Sequence, residues 1–154
     1  MTGFELMMPM VTVTESVLVR RPRQVVWDFT QDYLRRREWD ASILEASVIH
    51  QAPTPRVQIR SVGGLRAVFQ YRQFDRPSRT SLSMEEVQSF LIFGGGGSWA
   101  YDDKDGGTLW TQTNTLTLKP GWWRRLLAPL IRRQLKTSTR RAMQKAKKIL
   151  EASA

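Results

Sequence analysis

Two stretches carry side chains whose types and spacing suit the binding of a small molecule. In Thr108–Lys119, TLWTQTNTLTLK, a period of two puts Trp110, Gln112, Asn114, Leu116 and Leu118 on one face. Leu109 and four threonines take the other face. An apolar face interrupted by two amides is the pattern of a cavity wall. A buried amide without a partner costs on the order of 1–3 kcal/mol, so Gln112 and Asn114 need protein, water or ligand to bond. An outward face, or amides bonded only to their neighbours, would also fit the pattern. In LRAVFQYRQF the inward set is Leu65, Ala67, Phe69 and Tyr71, alternating with Arg66, Gln70 and Arg72. Tyr71 brings a hydroxyl that requires a partner if buried. Leu82 and Met84 continue the same row; plain core packing suits Ala67, Phe69, Leu82 and Met84 better than a pocket, and Tyr71 suits core and cavity wall equally. Trp39 and Asp40 stand together between two elements. Trp39 suits either a cap on a pocket or a hinge against a helix, and Asp40 a turn carboxylate or, if buried, a general acid or base.

Other groups exclude chemistry. The run Phe93-Gly-Gly-Gly-Gly-Ser98 lacks the Gly-Lys-Ser/Thr and the strand-to-helix context of a phosphate loop. Glycines within a long strand mark a bend or a close backbone approach, here one that could line a pocket. Asp102, Asp103 and Asp105 have no bidentate glutamate at calcium-loop spacing and read as a hairpin turn. The chain has one histidine, His50, and no cysteine, so a metal centre and a cysteine nucleophile are not expected. Glu85 and Glu86 point to opposite faces of one strand and do not pair.

The elements that must position these residues follow from periodicity. Residues 12–20 alternate as a strand. Pro22 opens a helix expected to run to about Arg36, whole or broken near Tyr33, with Val26, Phe29, Thr30 and Tyr33 on one face. Six strand-like segments succeed one another from Ser42 to Lys119, with turn signals at Pro53–Pro55, Gly63–Gly64, Asp75–Pro77 and Asp105–Gly107. Short connections make this an antiparallel meander. A final helix spans Trp122 to about Ala152, roughly 45 Å at 1.5 Å per residue, with Pro129 expected to kink it or split off its first turn and a half. Leu126, Leu127, Leu130, Ile131, Leu135, Thr139, Ala142, Met143, Ala146, Ile149 and Leu150 trace one stripe, which assigns the leucines to the core. Arg132, Arg133, Lys136, Arg140, Arg141, Lys145, Lys147 and Lys148 line the opposite face.

The 154 residues suit one domain, expected over 11–152 with 1–10 as an N-terminal extension. Net charge is +10 and sits wholly at the C-terminal end: from Lys119 onward eleven Lys or Arg face the single acid Glu151. That face could meet water alone, an anionic membrane surface or nucleic acid. The spacing favours water, and the lack of interleaved aromatics argues against nucleic acid. Trp122 and Trp123 would suit a membrane interface or the entrance of a cavity. The N-terminus has no basic leader, and no stretch approaches the roughly 20 apolar residues of a membrane span. A cytoplasmic location is the expectation; nothing sets an oligomeric state.

The order strand, helix, six strands, long amphipathic helix resembles the START-like superfamily (SRPBCC), the helix-grip fold of the birch-pollen allergens, and within it the bacterial polyketide cyclase/dehydrase-like group. The residues that carry the resemblance are RPRQVVWDFTQDYLRRREWD, DRP at 75–77, Gly97-Ser98-Trp99 with Gly106-Gly107-Thr108, and the final helix with its Ala-Pro-Leu. The resemblance implies an α+β fold, a curved seven-stranded antiparallel sheet wrapped on the long C-terminal helix, with one or two short helices after strand 1. It implies an internal cavity for a small hydrophobic ligand such as a lipid, isoprenoid or polyketide, and no cofactor. Trp39, Phe69, Trp99 and Trp110 would supply aromatic wall, and Tyr71, Gln112 and Asn114 would orient the ligand. An alternative is a cyclase or dehydratase, catalysing mainly by folding its substrate, with Asp40 or Tyr71 as proton donor.

Overall fold

A computed structural model describes residues 8–153. Of the expected N-terminal extension, residues 1–7 lie outside the described residues. β1 (Met10–Val19) passes through Pro22 into α1 (Arg23–Thr30). Val26, Trp27, Phe29 and Thr30 are its buried face. α1 ends six residues before the expected Arg36. Thr30 Oγ1 bonds back to the Val26 carbonyl at 2.8 Å, and Asp32 Oδ1 takes the Leu34 N–H at 3.0 Å. Such side-chain bonds compete with the helical ladder and turn the chain. It coils again in one 3-10 turn, Arg36–Glu38.

β2 (Ile43–His50), β3 (Arg56–Ser61), β4 (Arg66–Asp75), β5 (Arg79–Gln88), β6 (Ile92–Lys104) and β7 (Gly107–Leu118) follow. All neighbours pair antiparallel, in the order β1-β7-β6-β5-β4-β3-β2. The expected meander is thus present, with β1 returned to the edge beside β7. Gly63 and Gly64, at φ +81° and +82°, turn β3 into β4. Asp105 and Gly106, at φ +48° and +77°, turn β6 into β7, as a tight right-twisted hairpin requires.

Register shifts in the β2–β3, β4–β5 and β6–β7 pairs bend the sheet. One falls between Ile92 and Gly94, at the start of the glycine run. Beyond it the glycines serve close approach: a Cβ at Gly96 would stand 2.5 Å from the Leu82 carbonyl oxygen, and one at Gly97 2.8 Å from Asn114 Oδ1. On the outer face the threonines of β7 pair with β1, as in Thr12–Thr115 at 3.0 Å and Ser16–Thr111 at 2.8 Å.

α2 (Trp122–Ala152) runs through Pro129 as one helix. Its C-terminal half is buried as expected, at Thr139, Ala142, Met143, Ala146 and Leu150. Its N-terminal half corrects the expected stripe. Leu126 and Leu130 are 69% and 63% exposed, and Trp122 76%. Leu127 is half-buried, and Ala128, Ile131 and Leu135 pack against the cluster of Val11, Ile92 and Leu118. Leu126 and Leu130 sit one residue round the helix from that inner row, so the stripe is wider than the surface it meets. The basic face is only partly solvated: Arg140 pairs with Glu15 at 3.4 Å and Lys147 with Glu151 at 3.3 Å.

The main core lies where α1, β6, β7 and the C-terminal half of α2 meet. At its centre Trp39, Trp99 and Trp110 form a triangle with ring centroids 5.5–6.2 Å apart, within the range of favourable aromatic pairing. Among the described residues no helix is long and apolar enough to cross a membrane.

Candidate functional site

The curved sheet and α2 diverge on either side of this core, leaving a cavity of about 480 Å³. That volume falls within the roughly 300–1,000 Å³ of small-molecule sites. Ile59, Leu65, Phe69, Leu82, Met84 and Leu116 form its sheet wall, and Ile131, Leu135, Thr139 and Ala142 its helix wall. At the rim lie Val62, Gly63, Phe90 and Gln134, all exposed. At the buried end lie Arg36, Gln112, Thr139 and Ala142, each less than a tenth exposed.

Arg36 dominates that buried end. It is 5% exposed, and its guanidinium carbon stands 4.5, 4.8 and 4.9 Å from the ring centroids of Tyr33, Trp39 and Trp99. Cation–π contacts of this kind contribute about 0.5–2 kcal/mol each. One terminal nitrogen donates to the Thr30 carbonyl at 3.1 Å. Its Nε is buried with no acceptor among the described residues. No carboxylate among them lies within ion-pair distance. Asp40 lines the same cavity, but its Oδ1 accepts from the Ser42 N–H at 3.1 Å and from the Ser42 hydroxyl. Beside Arg36, Trp99 Nε1 donates to Asn114 Oδ1 at 3.3 Å, and Asn114 Nδ2 to Gln112 Oε1 at 3.0 Å. The chain of amides ends on the Gln112 nitrogen.

A second polar system lies behind the wall. Tyr71 donates to Gln31 Oε1 at 2.8 Å, so Tyr33, hydrogen-bonded to the Tyr71 hydroxyl, is the donor in that pair. Gln31 Nε2 donates to Tyr101 at 2.8 Å. Thr30 gives its proton to the Val26 carbonyl and therefore accepts from Tyr101 at 2.7 Å. The protons run one way, from Tyr33 at the cavity to a main-chain carbonyl of α1. Burial first, then Tyr33 beside it, hold the Tyr71 hydroxyl protonated well above the ordinary tyrosine range, against the opposing charge of Arg36. Burial likewise raises Tyr101, against its hydrogen bonds to Thr30 and Gln31.

The seven residues singled out from the sequence divide accordingly. Phe69, Trp99, Gln112 and Asn114 line the cavity. Trp39, Tyr71 and Trp110 stand behind it, at 1%, 2% and 0% exposure. Trp110 stacks on Tyr101 at 6.2 Å and packs with the other two tryptophans. The alternation that put Trp110 and Gln112 on one face was right, but α1 and α2 close over the end of that face that holds Trp110. His50 is exposed at the end of β2, and the described residues contain no metal-binding cluster. Arg36 was missed because it sits in the run Arg35-Arg36-Arg37, which reads as solvated charge. The available signal was spacing: Phe29, Tyr33 and Arg36 follow at i, i+4, i+7, on the apolar face of α1 continued.

A family model described as polyketide cyclase / dehydrase and lipid transport matches residues 10–151. The chain belongs to this family. Solved structures agree on its START-like helix-grip fold. The protein TTHA0849 from Thermus thermophilus superposes with a TM-score of 0.79 at 15% identity, covering 95% of this chain and 99% of its own. A START superfamily protein from Mycobacterium smegmatis gives 0.74 at 9%, covering 93% and 99%. The ZhuI aromatase/cyclase from Streptomyces sp. R1128 gives 0.68 at 15%, covering 94% and 93%. No curated protein matches the sequence. Membership in the polyketide cyclase/dehydrase and lipid transport family thus accounts for the architecture and leaves the contents of the cavity to the residues that line it.

Proposed function

We propose that this chain binds one small, mostly apolar molecule, of lipid, isoprenoid or polyketide size, in the cavity between sheet and α2. The observation that carries the reading is the 480 Å³ space itself, mainly apolar in its lining and with Arg36 and Gln112 at its buried end. Tyr71 does not reach it as a proton donor, since its proton is engaged by Gln31. This supports binding over acid catalysis at that residue. Titration of the neutral fluorophore N-phenyl-1-naphthylamine tests the reading. Wild-type protein should bind it with micromolar affinity, and Ala142→Phe, which places a ring in the cavity, should weaken binding at least tenfold while leaving the fold intact by circular dichroism. Equal binding by both proteins would place the probe elsewhere and remove the proposal.

The rim supports a further part of the reading, contact with an anionic membrane from which such a molecule is taken. Phe90 at the rim is 75% exposed, and Trp122, Leu126 and Leu130 on the N-terminal half of α2, outside the cavity lining, are 63–76% exposed. Trp123 packs on Phe90 at 5.7 Å with Arg124 over its ring at 4.3 Å. Arg132 and Arg133 follow on the same helix. Exposed apolar side chains beside clustered cations suit the interface of a bilayer bearing negative lipids. Sedimentation with vesicles containing phosphatidylserine should capture the protein, vesicles of phosphatidylcholine alone should not, and Trp122→Ser with Leu126→Ser should abolish capture. Capture that survives those changes rules the rim out.

A further inference from the structure

The buried end of the cavity is built from donors. Arg36 cannot lose its charge at any physiological pH. It is withdrawn from water, meets no carboxylate among the described residues, and gives only one bond that the structure shows, to the Thr30 carbonyl. A buried cation stacked on three rings is partly compensated, but its remaining N–H groups call for oxygen acceptors. The protein atoms nearby do not supply them. Arg36 forms no hydrogen bond to any of the three polar neighbours: it lies over the ring of Tyr33, not against its hydroxyl, Asp40 acts on it only through charge from beyond ion-pair distance with Oδ1 taken by Ser42, and Asn114 Oδ1 accepts from Trp99. Gln112 adds a further N–H to the same wall, with no acceptor among the described residues. The rest of the cavity, toward the rim, is mainly aliphatic and aromatic, with Ser61, Ser89, Gln134 and Ser138 as its neutral polar members.

We infer that the molecule bound here is an amphipathic monocarboxylate, its carboxylate held by Arg36 at the buried end and its apolar body lying between β4, β5 and α2 toward the rim. A guanidinium presents its N–H groups as a planar fork that matches the two oxygens of a carboxylate. Arg36 is 5% exposed, so a pair made there is worth more than at the surface and is screened less by salt. The inference rests on the cavity being a binding site and adds the chemical class of what enters it. It also sets polarity: the acid end enters first, and the apolar end faces the membrane-like rim.

The test compares two probes that differ only at the head group, cis-parinaric acid and its methyl ester, by fluorescence titration. Wild-type protein should bind the acid at least tenfold more tightly than the ester, and the preference should persist in 0.5 M NaCl. Arg36→Gln should weaken the acid about tenfold, to the level of the ester, and change ester affinity less than twofold; Arg36→Lys should retain part of the preference. Should Arg36→Gln fail to fold, the Arg36 Nε–H resonance of the wild-type protein provides the second measurement: the acid should shift it and the ester should not. Equal affinities for acid and ester in the wild type overturn the inference and leave the cavity as a site for neutral molecules. A preference that disappears in high salt, or on charge reversal of Arg132 and Arg133, assigns it to surface charge and overturns it as well. If neither probe binds, the cavity reading falls and this one with it.

Discussion

Two polar systems lie within a few residues of each other in this molecule, and they are built on opposite plans. The tyrosine chain, Tyr33 to Tyr71 to Gln31 to Tyr101 to Thr30, is closed: each donor has an acceptor, and the last one is a main-chain carbonyl. The Arg36 end of the cavity is open: Arg36 Nε has no acceptor among the described residues, and the amide ladder ends on an unused N–H of Gln112. A satisfied network in a dry interior holds elements in place, here α1 against β4 and β6. A cluster of donors at the end of a cavity holds nothing until an acceptor arrives. The difference teaches how to divide structural from ligand-facing polarity without knowing the ligand. The sharpest way to break the division is to cut each system separately.

Cutting the closed chain should have the largest effect on folding. Tyr101→Phe removes the acceptor of the Gln31 amide in a buried site, and stranding a buried donor costs about 2 kcal/mol, or roughly 4–8 °C in melting temperature. Thermal and urea melts measure it. The preference for acid over ester should be unchanged; if it were lost, the two systems would act as one and the division would fail.

The closed chain also predicts a response to alkali. Tyr71 and Tyr101 keep their protons in the folded protein to well above the ordinary tyrosine value, near 10, at which they ionise in the unfolded chain. Below that value both states are protonated, and the stabilisation is present in full. As pH rises past it the unfolded chain loses protons first, so stability falls by up to about 1.4 kcal/mol per pH unit for each tyrosine that stays protonated. Urea melts between pH 9 and 11 should show this decline. Tyr71→Phe should make it shallower, because one of the two contributing hydroxyls is gone.

The contrast also explains how far the sequence could be read. Strand alternation and helical spacing report which face of an element is apolar, and they placed all seven strands, α2 and the inward rows of β4 and β7. They do not report what lies opposite that face. Trp110 and Gln112 are equivalent by alternation, yet one meets Trp39, Trp99 and Tyr101 and the other meets the cavity. The same limit hid the fate of the α2 leucines. Leu130 and Ile131 share one helical stripe, and only the curvature of the sheet decides that Ile131 finds a partner while Leu130 stays exposed. Arg36 is legible only in its spacing from Phe29 and Tyr33, and for a different reason. Its burial depends on the turn created by Thr30 and Asp32, which folds a charged triplet so that one member points inward and two outward.

Cutting the open end should cost the fold little and the occupant more. Gln112→Leu keeps the side chain's volume in the wall and removes its N–H from the cavity. Asn114 Nδ2 then keeps only the longer contact to Thr139 Oγ1, at 3.5 Å. Loss of one neutral bond, offset by a gain in apolar packing, should leave unfolding free energy within about 1 kcal/mol of wild type. A hydrogen bond to a charged group contributes at least about 1.5 kcal/mol, so affinity for cis-parinaric acid should fall about tenfold or more, with the ester unaffected. Equal losses for acid and ester would show that Gln112 shapes the wall rather than serving the head group. A large loss of stability would show that Gln112 belongs to the closed plan, and Arg36 would then stand alone as the open one.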